Sequence, residues 1–113
     1  MAIKIEDIRL MKRYFEGVMC RANHHAENVN EIILALAGGV IWRGADMSVR
    51  TYRDKTANML WLKTDSGHEY CFIFNHNNWL IEVHEGSMNG NLLRVFSNKD
   101  TLTDVKSFFE QLK

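Results

Sequence analysis

The residues best suited to do chemistry in this chain are Glu69, Glu82 and His84. In the strand registers set out below, His84 falls opposite Glu69 and lies two residues from Glu82. An imidazole flanked by carboxylates has its pKa raised and can serve as a general base. The competing reading is a paired sheet surface, with Glu82 satisfied by Arg94 and Glu69 by Lys63. That reading is preferred, so a small enzyme using His84 with Glu82 or Glu69 ranks behind a non-catalytic protein. Cys71 comes beside Glu82 in these registers, and a carboxylate disfavours the thiolate that a nucleophile needs. His24-His25 is expected at a helix N-terminus, where an anion or metal could meet it. Adjacent helical side chains diverge by about 100° and lack the i, i+4 spacing of a chelating pair, so a solvated helix start is preferred. No metal and no cofactor is expected. Cys20 and Cys71 have no metal-site spacing, and Gly38-Gly39 follows a helix instead of opening one as a phosphate loop would.

These residues would be carried by Met59 to Phe96, which reads as four strands joined by turns. Asp65-Ser66-Gly67 is a three-residue hairpin loop with Gly at the left-handed position. It pairs Thr64 with His68, Leu62 with Tyr70 and Leu60 with Phe72. The Asn75–Asn78 turn pairs Phe74 with Trp79, Phe72 with Ile81 and Tyr70 with Val83. The loop Gly86–Gly90 pairs Glu85 with Asn91, Val83 with Leu93 and Ile81 with Val95. The three registers agree on one apolar face: Leu60, Leu62, Tyr70, Phe72, Phe74, Trp79, Ile81, Val83, Leu93 and Val95. A one-residue slip in any hairpin would break that agreement.

The second face then carries Met59, Trp61, Lys63, Glu69, Cys71, Ile73, Leu80, Glu82, His84, Leu92, Arg94 and Phe96. Lys63 faces Glu69 and Glu82 faces Arg94, pairs that stabilise a sheet by roughly 0.2–1 kcal/mol each. A fifth strand, Met47 to Arg53, adds Arg50 opposite Trp61, as a cation–π contact, and Tyr52 opposite Met59. The wet face of an antiparallel sheet should be polar. A half-apolar one points to a partner or ligand surface, with Trp61 and Phe96 at its centre.

A helix is expected from about Ile5 to Arg21, with Ile8, Met11, Phe15 and Val18 as its stripe. A second runs from about His24 to Ala37, capped by Asn23, with Ala26, Val29, Ile33 and Leu36 inward and Gly38-Gly39 as its stop. Val40 to Arg43 reads as a short strand and Gly44-Ala45-Asp46 as a turn. A last helix spans about Thr101 to Leu112, with Thr101 and Asp104 as a capping box and Leu102, Val105, Phe109 and Leu112 as its stripe. The fold class is a single α+β domain over residues 1–113: two N-terminal helices, a five-strand antiparallel meander and a C-terminal helix, with the helices on one sheet face.

Composition narrows the function. The chain has 113 residues, 46% of them hydrophobic, which supports one folded core. Lys plus Arg and Asp plus Glu number 14 each. That balance argues against nucleic acid, although Arg50, Arg94, Trp61 and Phe96 could form a stacking sheet. No window reaches the ~20 apolar residues of a membrane span, and Met1-Ala2-Ile3-Lys4 opens no signal-peptide core. Cys20 and Cys71, without metal spacing, read as reduced buried thiols of a cytoplasmic protein.

The segment Ala22-Asn-His-His-Ala-Glu-Asn-Val29, running on to Leu36-Ala-Gly-Gly39, resembles small orphan proteins encoded by integron gene cassettes. The similarity extends over the hairpins to Ser107-Phe-Phe-Glu110. The resemblance implies a bacterial cytosolic protein in a mobile genetic context, frequent homo-oligomers and, in some members, a small-molecule pocket. It carries no catalytic residues to this chain. The expected function is a binding protein that self-associates through the second sheet face, with Arg50, Tyr52, Met59, Trp61, Ile73, Leu80, Glu82, His84, Arg94 and Phe96 as its contact residues and a small-molecule pocket at the interface. The alternative is an adaptor of immunity or antitoxin type that offers the same face to another protein.

Overall fold

The computed structural model describes residues 2–25, 30–52, 55–75, 80–97 and 99–113. Among them the chain forms β1 (Ala2–Lys4), α1 (Ile8–His25), α2 (Asn30–Arg43), β2 (Gly44–Tyr52), β3 (Lys55–Thr64), β4 (Glu69–Asn75), β5 (Leu80–Glu85), β6 (Leu92–Phe96) and α3 (Leu102–Glu110). The strands make one antiparallel sheet of six, in sequence order. The α+β class holds, and one strand beyond the expected five is present. It is β1, whose Ile3 pairs with Val49 across α1 and α2. Three residues are too few to show alternation.

The core lies between the sheet and the helices. Leu60, Leu62, Tyr70, Phe72, Phe74, Ile81 and Val83 are buried as expected, against Tyr14 and Val18 of α1, Ile32, Ile33, Leu36 and Val40 of α2, and Val105 and Phe109 of α3. Aromatic rings tie α3 to the sheet. Phe109 stacks on Phe72 with centroids 5.9 Å apart and planes 6° from parallel, and Phe108 meets Phe96 edge-on at 5.2 Å. The Thr101–Asp104 capping box forms as read: Asp104 N–H donates to Thr101 Oγ1 at 3.1 Å and Thr101 N–H to Asp104 Oδ2 at 2.8 Å.

The N-terminal helices are displaced from their expected bounds. α1 runs on to His25, so Asn23 is no N-cap and His24-His25 ends a helix instead of starting one. α2 passes through Gly38-Gly39 and takes in Val40 to Arg43, which therefore form no strand. Gly44-Ala45-Asp46 opens β2 and is no turn. Two glycines cost a helix about 2 kcal/mol relative to alanine. Burial of Val40 offsets part of this. Arg43 adds to it by donating to the carbonyls of Phe109 and, at 2.8 Å, of Leu112, which places a cation at the C-terminal end of α3. The stripe positions Ala26 and Val29, turn positions 76–78 and the core candidate Trp79 lie outside the described residues.

Register holds in one hairpin and shifts in three places. β3 and β4 pair as read: Leu60 with Phe72, Leu62 with Tyr70, Lys63 with Glu69. Gly67 takes φ 89 in the connecting loop, a conformation open to glycine without strain. β4 and β5 are slipped by two residues, so that Phe72 meets Val83 and not Ile81. β2 and β3 slip likewise in their middle, where Val49 meets Leu60 and Ser48 meets Trp61; past an irregularity between Val49 and Thr51 the slip grows to four residues, and Tyr52 meets Lys55. A two-residue slip keeps every side chain on its face but changes its neighbours. The last shift is of another kind. Val83 opposes Arg94 while His84 opposes Leu92, leaving Leu93 as an extra residue. This β-bulge reverses the facing of the rest of β6. Phe96 turns into the core with no exposure, Arg94 turns to the helix side, and Val95 joins Glu82 on the second face. Leu93, expected in the core, is 42% exposed.

Candidate functional site

The second sheet face centres on Cys71, which pairs with Trp61 on one side and His84 on the other. Its thiol is wholly buried. Burial, and then the charge of Glu69, push the thiol pKa up to about 11. It is protonated at neutral pH and is no nucleophile. Met59 is buried beside it, and Trp61, Ile73 and Leu80 are half-buried. Arg50 is exposed and does not face Trp61; its Nη1 lies 3.6 Å from Met59 Sδ and 4.0 Å from Met88 Sδ. Met88 thus brings the β5–β6 loop over this face. The Tyr52 side chain lies outside the described residues.

His84 and Glu82 do come together, without Glu69. The two-residue slip sets His84 against Cys71, and Glu69 faces Lys63. The expected Glu82–Arg94 pair is absent because the bulge turned Arg94 away. Glu82 Oε1 lies 2.9 Å from His84 Nε2, and Glu82 Oε2 accepts from Asn75 Nδ2 at 2.7 Å. His84 Nδ1 lies 3.0 Å from the Gly90 carbonyl. Both neighbours of the ring are acceptors, so only the imidazolium satisfies both. The Gly90 carbonyl and then Glu82 accordingly raise the His84 pKa. With both nitrogens committed, the ring offers no lone pair to a substrate. It works as a staple, tying the Gly86–Gly90 loop to β5.

The staple makes a pH prediction. The folded pKa lies above the unfolded value of 6.5. The folded chain therefore holds the proton more tightly, and stability falls as pH rises. The His84 contribution should be complete below about pH 6.5 and be lost as pH passes the raised folded value. Thermal melts between pH 6 and pH 8 should show a declining Tm that flattens in His84→Ala. Equal slopes in the two proteins would remove the imidazolium from the account.

Two other surfaces came from no motif. The first is the outer side of α2. Leu34 and Ile41 are each 59% exposed, Trp42 55% and, beside them, Leu102 of α3 71%. A shallow cleft of about 220 Å³ runs between the two helices past Gly38 and Trp42. α2 is apolar on its inward and outward sides alike. The signal was present in Ile-Ile-Leu-Ala-Leu-Ala-Gly-Gly-Val-Ile-Trp, hydrophobic all round, but reading Gly38-Gly39 as a stop cut it in two. The second is a groove of about 550 Å³ between α3 and the end of the sheet, lined by Tyr70, Glu85, Arg94, Asp104 and Phe108 among others. It depends on the bulge, which no alternation pattern revealed.

Among the described residues no group of three or more His, Cys, Asp or Glu could hold a metal ion, and no helix is long and apolar enough to cross a membrane. No curated protein matches the chain. A family model described as integron cassette protein VCH_CASS1 chain does match, over residues 11–106. That span takes in β2 to β6, all of α2, and α1 and α3 except the first residues of α1 and the last of α3, and it leaves out β1; the chain belongs to this family of integron cassette proteins.

Proposed function

We propose that this is a non-catalytic binding protein that self-associates, and that two copies meet through the outer side of α2. The observation that carries this reading is the exposed stripe Leu34, Ile41 and Trp42, extended by Leu102. Contiguous exposed apolar patches of a few hundred Å² usually mark interaction sites. The pattern is self-complementary. Leu34 and Trp42 stand four residues on either side of Gly38. A two-fold axis at Gly38 lays the helices antiparallel and sets each Leu34 against the partner's Trp42. A Cβ at Gly38 would meet nothing within 4 Å, so this point is open for close backbone approach. Exposed Glu31 and Lys106 supply a polar rim.

The second sheet face supports self-association less well. Phe96 has left it, Met59 and Cys71 are buried within the chain, and Met88 overlies it. Two unpaired cysteines, Cys20 exposed and Cys71 buried, fit a reducing bacterial cytoplasm. Light scattering over a dilution series tests the proposal. A mass near twice 13.2 kDa is expected at micromolar concentration. A monomer at every concentration would overturn it and favour the adaptor reading, in which another protein covers the same face.

A further inference from the structure

The groove beneath α3 has features that the self-association reading does not use. Its volume of about 550 Å³ falls within the roughly 300–1,000 Å³ range of small-molecule sites. Its floor is aromatic: Tyr70, 6% exposed, and the half-buried Phe108. Charges of both signs line it, Glu85 and Asp104 against Arg94 and Lys113, and Asp104 is already engaged by the Thr101 N–H at the start of α3. Arg94 reaches it only because the bulge at Leu93 reversed the facing of β6. Glu85 lies on the same side of the sheet, opposite Tyr70 and two residues along β5 from Val83, the partner of Arg94. That spacing is about 7 Å along the strand.

Arg94 is held in place before any ligand arrives. Its Nη2 donates to Asp100 Oδ1 at 2.5 Å, and its guanidinium lies 4.9 Å from the Phe96 ring centroid. A guanidinium has five N–H donors in a fixed fork, and the contact with Asp100 uses one nitrogen. Asp100 itself accepts at Oδ2 from the Ser97 N–H at 2.8 Å, which fixes the carboxylate that fixes the arginine. Such a layered arrangement orients a cation toward a planar anionic group at low entropic cost. Glu85 is exposed and forms no ion pair among the described residues.

We propose that this groove binds a small zwitterion with an apolar body, of the free amino acid class, its carboxylate on Arg94, its ammonium on Glu85 and its body on Tyr70 and Phe108. Of the lining charges, Arg94 and Glu85 stand over the aromatic floor on neighbouring strands and match the two ends of such a molecule in sign. A simple anion would leave Glu85 facing it, and a simple cation would leave Arg94 facing it. Ser107 of α3 and Gln111, its C-cap, supply further hydrogen-bonding groups on the opposite wall.

The test uses three probes that share one ring: phenylalanine, phenethylamine without the carboxylate, and 3-phenylpropionate without the amine. Binding is measured by titration calorimetry on the full chain and again on Trp42→Glu, so that loss of self-association and loss of the groove are read separately. Phenylalanine should bind, and each one-ended analogue should bind about 10-fold or more weaker, the size expected for one charge-assisted contact. Glu85→Gln should erase the advantage of phenylalanine over 3-phenylpropionate and keep that over phenethylamine. Arg94→Lys, which keeps the charge but loses the fork, should reduce the advantage over phenethylamine alone. No binding of phenylalanine at millimolar concentration, or equal binding of all three probes, would overturn the proposal.

Discussion

Gly39→Ala is expected to cost the fold about 2 kcal/mol, while Gly38→Ala, one residue earlier, is expected to add about 0.5–1 kcal/mol. Both glycines lie within the same helix, so the difference comes from what each faces. A Cβ at Gly39 would fall 2.1 Å from Phe109 Cε2 and 2.2 Å from Cδ2. That ring is fully buried and stacked on Phe72, with Phe108 set edge-on to it at 5.4 Å. It cannot yield without disturbing the contact that joins α3 to the sheet. Overpacking of this kind costs about 1–3 kcal/mol, sometimes more, and exceeds the helix-propensity gain. At Gly38 the added methyl meets open space, and only the propensity gain remains. Urea unfolding of both variants in the Trp42→Glu background keeps association out of the comparison. Shifts of the same sign would show that α2 does not press its backbone on Phe109.

Trp42→Glu is expected to split the dimer with little effect on the monomer. In a two-fold interface the substitution acts twice. Loss of a central Trp contact costs about 2 kcal/mol or more per copy, so about 4 kcal/mol in all, near a thousandfold in dimer Kd. The side chain is more than half exposed in the monomer. Its contact there is the Arg43 guanidinium, 5.8 Å from the ring centroid, and surface changes of this kind stay within about 0.5 kcal/mol. Trp61→Glu is the control on the sheet. If it abolishes association and Trp42→Glu does not, the interface belongs to the second sheet face and the α2 proposal fails.

How far each part of the molecule was legible follows from what its pattern constrains. Alternation fixes which face a side chain takes, so Leu60, Leu62, Tyr70, Phe72, Phe74, Ile81 and Val83 were placed correctly even where the pairing was off by two. It does not fix the row. Cys71 was therefore expected beside Glu82 and stands beside His84, which changed the chemistry of the candidate site. The bulge was hidden because Leu92 and Leu93 are identical, and a repeat of that kind cannot show where the extra residue sits. With it went Phe96 and Arg94, two of the expected contact residues. Gly38-Gly39 misled because local propensity was read without Phe109, which lies 70 residues on and supplies the reason for Gly39. The Thr101–Asp104 box was legible because a cap is local, satisfied within one turn.

The place of β1 bears on the order in which the molecule assembles. Strands β2 to β6 join neighbour to neighbour through short connections, so each hairpin closes over a small loop. Pairing Ile3 with Val49 instead closes a loop of more than forty residues that contains both α1 and α2, and the entropy of that closure must be met before the strand gains anything. The meander should therefore form early and the N-terminal strand should dock last. In native-state hydrogen exchange the amides of β1 should open at lower free energy than those of β3 and β4. Equal protection across all three would mean that the sheet zips as one unit. A late strand of this kind leaves the β2 edge bare for part of every folding event, and a bare edge is where a second chain can pair out of turn.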